Sequence, residues 1–355
     1  MIHGIYIEVE PVVMMYVKRG VYFFYFCSGR GLGKTYSSLD MMRRVGTGLL
    51  KIDEQEENSK FLYLRRSGVE AETIAAPEAC PFKKYNKKEG YEICGEFHNK
   101  LGFGSFYLDA EKKDHIGYCA ALSTFSNLRG VDFSDVSLIV YDECIPENKN
   151  KKPIKDEGFL FLDLYETINR NRALEGKKEV VVIFLSNPID LSSDLLSQLQ
   201  LTPILNNMIL NNQQKFTDYD RVLHIEKYKD HPISKQKEAG ALYKFAQQTG
   251  YNARSLSGEF TQNDMTVIRK ANFAEYDPYL RIENIVVYKH KSDYTFHISS
   301  RLSTCKYEFK AYQREKVRDI FYWQYKLLVR ERLVTYDNYS TKTVFEAMIN
   351  YKPLQ

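Results

Sequence analysis

Four short apolar runs punctuate the first 190 residues of the chain: Val21 to Cys27 (VYFFYFC), Lys60 to Arg66 (KFLYLRR), Val136 to Glu143 (VSLIVYDE) and Glu179 to Leu185 (EVVVIFL). They are rich in β-branched and aromatic residues, and the pattern suits strands covered on both faces of a parallel sheet. Tyr36 to Val45 and Phe159 to Ile168 carry apolar residues at helical spacing and predict helices between those strands. The fold class expected is therefore α/β with a mainly parallel sheet. Ser67 to Lys113 holds Pro77, Pro81, several glycines and Lys83, Lys84, Lys87 and Lys88. It reads as an irregular excursion with hairpin strands near Tyr91 to Phe97 and Ser105 to Leu108, its lysines forming a solvated face. His115 to Phe125 returns to the sheet.

Beyond Pro188 the pattern changes. Residues 191–257 read as a connector, with a helix at Ser193 to Gln200, a strand at Arg221 to Glu226 and a helix around Ser234 to Gln248. From Thr266 onward TVIRKANF, ENIVVYKHK, DYTFHISSR and KYEFKAYQ alternate in the strand manner. A helix over Lys316 to Leu333 follows, with Ile320, Trp323 and Leu327 on one face, widened by Phe321 and Leu328. The expected division is 1–190, a connector over 191–257, and a separate α+β domain over 258–355.

Composition changes this picture little. The 355 residues are 44% hydrophobic and 27% charged with a net charge of +4, ordinary values that neither declare nor exclude a nucleic-acid partner. None of the six cysteines forms a C-x-x-C pair, so reduced thiols in a cytoplasmic setting are expected. The apolar amino-terminal run is broken by Glu8, Glu10, Pro11, Lys18 and Arg19, which argues against a signal peptide or a membrane span.

The chemistry is concentrated at the ends of the apolar runs. Ser28, Gly29, Arg30, Gly31, Leu32, Gly33, Lys34 and Thr35 follow the first strand and precede a helix, the order required of a phosphate-binding Walker A loop. Ser28 stands where the strict pattern has glycine. Backbone N–H groups would cradle phosphates, Lys34 would reach the β and γ phosphates, and Thr35 would hold magnesium. VSLIVYDE ends in two acids, the Walker B form: Asp142 would complete the metal shell and Glu143 would polarise the attacking water. Asn187, just past the last core strand, is a candidate γ-phosphate sensor, with a plain Ser-Asn-Pro turn as the alternative. The expected cofactors are ATP and Mg2+.

Together GRGLGKTY, FLYLRR, LSTFSN, VSLIVYDE, TINRNR and FLSN resemble the DNA-packaging (encapsidation) ATPases of small podophages, relatives of large terminase subunits that form a ring on the portal. The resemblance spans Val21 to about Pro188. It implies an additional-strand (ASCE) ATPase core, a catalytic glutamate at Glu143 and a trans-acting arginine finger at Arg170, with Arg172 the nearest competitor. It implies a ring, a pentamer in that family, enclosing double-stranded DNA at the portal of a procapsid in the host cytoplasm. No membrane is involved, and a packaging RNA is left open as a further partner. By the same likeness Arg129 is placed to line the DNA pore. Lys149, Lys151 and Lys152 could add to it, or form a solvated loop.

The terminase relatives carry a ribonuclease-H-like nuclease. Here Asp264, Asp277, Asp293 and Asp337 do not fall in an arrangement readable as a two-metal site, so the expectation for the carboxyl-terminal domain is a ribonuclease-H-like fold without nuclease activity. Three other readings remain open. One is a helicase or other ring translocase on the same core, and one is a nucleotide-gated structural protein with little turnover. The third, a small-molecule kinase or GTPase, is disfavoured by the Asp-Glu pair and by the lack of an Asn-Lys-x-Asp motif.

Overall fold

A computed structural model of the chain describes residues 6–54, 56, 58–128, 130–146, 154–226, 232–246, 260 and 263–349. It divides into two compact units, one of residues 1–189 and 213–260, the other of residues 190–212 and 261–355.

The first unit is built on a nine-stranded sheet. In chain order its elements are α1 (Val9–Val17), β1 (Phe23–Cys27), α2 (Lys34–Gly46), β2 (Lys60–Arg65), α3 (Gly68–Ala75), α4 (Phe82–Glu89), β3 (Cys94–His98), β4 (Phe103–Tyr107) and β5 (His115–Ala121). Then come β6 (Val136–Asp142), α5 (Glu157–Asn169) and β7 (Val181–Ser186). The order across the sheet is β3-β4-β5-β2-β6-β7-β1 followed by two further strands, β9 (Arg221–Ile225) and β8 (Lys215–Thr217). From β5 through β9 all neighbours are parallel, and β3, β4 and β8 add antiparallel edges. One strand, β7, lies between the strand that leads into the phosphate loop and the strand that ends in Asp142. This is the additional strand of the ASCE arrangement.

Register brings the chemistry to one edge. Cys27 pairs with Ser186 and Asp142 with Leu185, so the loops after β1, β6 and β7 leave the sheet at the same level. In open parallel sheets that carboxyl edge is where ligands bind. One face of the sheet, with Phe24, Phe26, Phe61, Tyr63, Leu138, Val140 and Ile183, packs on Met41, Met42 and Val45 of α2 and Val9 and Val13 of α1. On the other face Tyr141 stacks on Phe161 of α5 with ring centroids 6.1 Å apart, and Phe161 meets Phe184.

Four expectations are corrected. The stretch after Ser67 is more regular than its prolines suggested, because Ser67 and Glu70 form a reciprocal capping box that starts α3, and Gly90 ends α4 in the left-handed region at φ 77°. Its lysines lie exposed on α4. The expected connector is not a separate segment. Its strand β9 runs parallel beside β1 and so belongs to the first unit, whereas α6 (Asp194–Gln198) and α7 (Thr202–Leu210) belong to the second, where α7 packs on the helix Tyr339–Met348.

The second unit has a mixed five-stranded sheet, ordered β13-β10-β11-β12-β14. Here β10 (Tyr276–Ile282), β11 (Ile285–His290) and β12 (Phe296–Ser299) form an antiparallel meander. The strands β13 (Tyr307–Phe309) and β14 (Val334–Tyr336) join its edges in parallel. TVIRKANF is not a strand: Asp264 and Asn272 cap short 3-10 turns there, and side-chain capping overrides the alternation. The first strand instead contains Pro278, beside an irregularity in the β10–β11 register.

The fourth correction concerns the long helix. A π-helical stretch, Arg318–Tyr322, separates α-helical Arg314–Val317 from Trp323–Arg330. The wider turn puts Val317, Phe321 and Tyr325 at four-residue spacing in the core. Of the expected face only the widening residues Phe321 and Leu328 are buried, whereas Ile320 is 41%, Trp323 73% and Leu327 56% exposed. No described helix is long and apolar enough to cross a membrane.

Candidate active site

The buried strand β1 delivers the chain into a loop whose backbone departs from right-handed geometry at two places. Gly31 and Gly33 take φ of 81° and 91°, a region that side chains with a Cβ disfavour, and Gly33 forms the N-cap of α2. Ser28 and Gly29 do not need positive φ. A serine at the first position is therefore compatible with the loop, and its hydroxyl bonds the Gly29 carbonyl at 3.2 Å. Lys34 is buried to 8% exposure and bonds the Ser28 carbonyl at 3.0 Å and Asn187 Oδ1 at 2.7 Å. Asn187 thus stands where its sequence position suggested, in direct contact with the loop lysine.

Across the same cleft Thr35 Oγ1 lies 3.5 Å from both carboxylate oxygens of Asp142. Asp142 is buried, accepts from the Tyr63 hydroxyl at 2.8 Å and from the Glu143 N–H at 2.9 Å. Glu143 itself has φ 52°, which swings its side chain out of the strand line. Its carboxylate meets Arg65 Nη2 at 2.5 Å, and Arg65 Nη1 is 3.6 Å from Asp142. Burial alone would depress the Arg65 guanidinium. The Asp142 and Glu143 carboxylates outweigh burial and raise it, so its positive charge is secure. Burial, then the Asp142 charge, likewise push the Tyr63 hydroxyl far above its ordinary value, so it stays a neutral donor. Cys27, at the end of β1, is pushed up to about 11 by burial and is an inert thiol.

A cleft of about 290 Å³ opens here, its walls including Arg30, Gly31, Lys34, Thr35, Asp142 and Glu143. The donor set fits a magnesium nucleotide. One hydroxyl and one carboxylate, both hard oxygen donors, face each other beside a lysine and a helix N-terminus.

Two arginines competed for the role of finger, and their surroundings differ. Arg172 is 2% exposed, pairs with Glu56 at 2.8 Å and donates to the carbonyls of Lys178, Ser134 and Val136. It is a packing residue that ties the end of α5 to the sheet. Arg170, the C-cap of α5, is exposed. The basic residues considered for DNA, Arg129, Lys149, Lys151 and Lys152, lie outside the described residues. In the second unit Asp264 and Asp293 hold local turns through Thr266 and Thr295, and Asp337 accepts the Ser300 N–H from the end of a neighbouring strand. Asp277 is 70% exposed, and among the described residues no three His, Cys, Asp or Glu side chains gather as metal ligands.

Sequence reasoning missed Tyr63 and Arg65. Both come from β2, whose apolar run was legible but whose neighbour in the sheet was not. Only the β2–β6 register, Tyr63 against Val140 and Leu64 against Tyr141, brings them to the acids.

Comparison with known proteins finds relatives in sequence and in fold. The phi29 DNA packaging protein, from Bacillus phage phi29, is 27% identical over 244 residues, 68% of this chain and 63% of its own length. The match therefore spans less than two thirds of that relative. Two solved structures share the fold at 16% identity. One is the bacteriophage Phi-29 viral genome packaging motor assembly, with a TM-score of 0.63 over 98% of this chain and 99% of that one. The other is the Phi-28 gp11 DNA packaging motor, with a TM-score of 0.55 over 96% and 98%. The sequence profile of the Podovirus DNA encapsidation protein (Gp16) family matches residues 6–283, and the chain belongs to that family.

Proposed function

We propose that the chain is a magnesium-dependent ATPase that moves double-stranded DNA into a preformed procapsid as a ring of identical subunits. The observation that carries this reading is the meeting of Thr35 Oγ1 with Asp142 at 3.5 Å, beside Glu143, in a member of the encapsidation family.

The loop amides and the α2 N-terminus would bind the phosphates, and Lys34 would exchange its bonds to Ser28 and Asn187 for phosphate oxygens. Magnesium, held by Thr35 and Asp142, would supply Lewis-acid polarisation of those oxygens. Glu143 orients the attacking water, and Arg65 fixes where its carboxylate can be. Asn187, through its bond to Lys34, would sense loss of the γ-phosphate. Arg170 of one subunit would stabilise charge at the neighbour's nucleotide, which requires a ring, a pentamer by family likeness. Arg129, Lys149, Lys151 and Lys152 would meet DNA phosphates. The second unit would dock on the portal, or on a packaging RNA, without cutting DNA, and the motor would work at the portal vertex in the host cytoplasm.

The test is ATP hydrolysis with and without double-stranded DNA. Glu143→Gln should lose roughly 100-fold or more of the stimulated turnover. Arg170→Ala should be equally impaired alone and regain part of its activity when mixed with Glu143→Gln, because each supplies what the other lacks. Turnover indifferent to DNA, with Arg170→Ala behaving like the native chain, would leave a nucleotide-gated structural protein as the better reading.

A further inference from the structure

Behind the cleft, on the opposite face of the sheet, lies a second charged cluster that the chemistry above does not use. Glu157, the first residue of α5, receives Arg66 Nε at 2.8 Å and Arg66 Nη2 at 2.9 Å, a two-pronged pair. It also accepts from the Tyr141 hydroxyl at 2.7 Å. All three are sealed from water: Tyr141 is 0%, Glu157 3% and Arg66 5% exposed.

Their positions in the chain matter more than their burial. Arg66 is the residue after Arg65, and Tyr141 the residue before Asp142. Successive side chains in extended backbone point to opposite faces. β6 ends in Tyr141-Asp142, and β2 ends in Arg65 with Arg66 just beyond it; in each pair one side chain joins the acids, Asp142 itself or Arg65 through Glu143 and Asp142, and the other meets Glu157. Apolar residues of similar shape would hold a helix to a sheet as well as a buried ion pair does. A pair here does something they cannot, since it ties α5 to the two backbone segments that carry the hydrolytic groups.

α5 has 13 residues and so runs about 20 Å. Its far end is also fastened, with Asn169 Oδ1 accepting the Val180 N–H at 2.9 Å and Arg172 buried in the sheet's lower edge. Between those anchors Arg170 emerges into solvent. The element is clamped at one end to the residues next to Arg65 and Asp142 and offers an arginine at the other.

We propose that Glu157 is a positioning residue that links a subunit's own cleft to the arginine it presents to its neighbour. A displacement of Arg65 or Asp142 during the cycle reaches Arg66 or Tyr141 through one peptide unit, then Glu157, then the axis of α5. This rests on the reading of Arg170 as a finger, and the experiment separates the two.

The measurement is DNA-stimulated turnover and ATP KM for Glu157→Gln, Arg170→Ala and the double variant, all in the full chain. Glu157→Gln keeps the side-chain shape and removes the charge. It should lower stimulated kcat by about 10-fold with KM within about twofold, since a small misplacement of a charged group acts on the transition state. Added to Arg170→Ala it should cost nothing further. Should the Glu157→Gln chain fail to fold, Tyr141→Phe, which keeps the ring stack on Phe161 and removes one hydrogen bond, carries the same comparison with a loss of about threefold. Full activity in Glu157→Gln, or losses that multiply in the double variant, would sink the linkage while leaving the finger intact. A native-like Arg170→Ala would sink the finger, and the linkage with it.

Discussion

His297 sits on β12 with its ring against Phe273 and Tyr276, and its Nδ1 lies 2.9 Å from the Thr335 hydroxyl. It is 1% exposed, and its Nε2 has no hydrogen-bond partner among the described residues. Burial pulls the imidazole down to about 4, against a weaker upward pull from Asp337. An unfolded histidine titrates near 6.5, so between those values the unfolded chain binds the proton and the folded one does not. Stability is therefore whole above about pH 6.5 and falls as pH drops toward about 4, by about 3 kcal/mol in total. Urea unfolding at pH 7 and pH 5, followed by a probe in the second unit, should show this loss, and His297→Phe should flatten it. If the native chain and His297→Phe keep the same pH slope, the buried neutral imidazole is not the cause. None of this was legible in the sequence, because a histidine in DYTFHISSR carries no sign of which face it takes. Lys34, Thr35, Asp142 and Glu143 were legible because each sits in a local pattern, a glycine-spaced loop or a strand ending in two acids, even though Thr35 meets Asp142 across 107 positions. Arg65 was not, since its partners lie 77 and 78 positions away and only the sheet order makes them adjacent.

Helix α2 links the loop to the sheet and lies so close to β5 that a Cβ on Gly46 would stand 2.3 Å from the Ile116 carbonyl oxygen. That oxygen belongs to a paired strand and cannot swing away. Gly46→Ala gains helix propensity yet should destabilise the first unit by about 1–3 kcal/mol, the cost of overpacking, seen as a lower urea midpoint with an unchanged slope. A neutral or stabilised Gly46→Ala would mean that α2 can withdraw from β5. Element by element, the apolar runs that became β1, β2, β6 and β7 read correctly from composition, since strands covered on both faces have no polar side to confuse. α3 and α4 were misread for opposite reasons. The Ser67-Glu70 capping box was present in the sequence and passed over, and α4 buries only Phe82 and Tyr85 beneath a surface of lysines. The helix near Trp323 failed because a π turn shifts the face by a residue, and no periodicity in the sequence announces where such a turn will fall.

At the scale of the whole chain, the division into units follows sheet edges rather than linear order. β9 crosses back to lie beside β1, so the first unit closes only after residues 190–212 have been given to the second. A linear reading has no means to find such an exchange, because the strand Arg221–Ile225 looks the same whichever sheet it joins. Trp323, turned outward by the same π turn, gives the chain an optical property. It is the only tryptophan among 355 residues and is already 73% exposed, with Lys326 over its ring at 5.4 Å. Its emission should be that of a water-facing indole in the native state and shift little in denaturant, so fluorescence excited at the indole band is nearly blind to unfolding. The same blindness is useful in assembly, where a blue shift or protection from iodide would report burial of this one helix face against a low background.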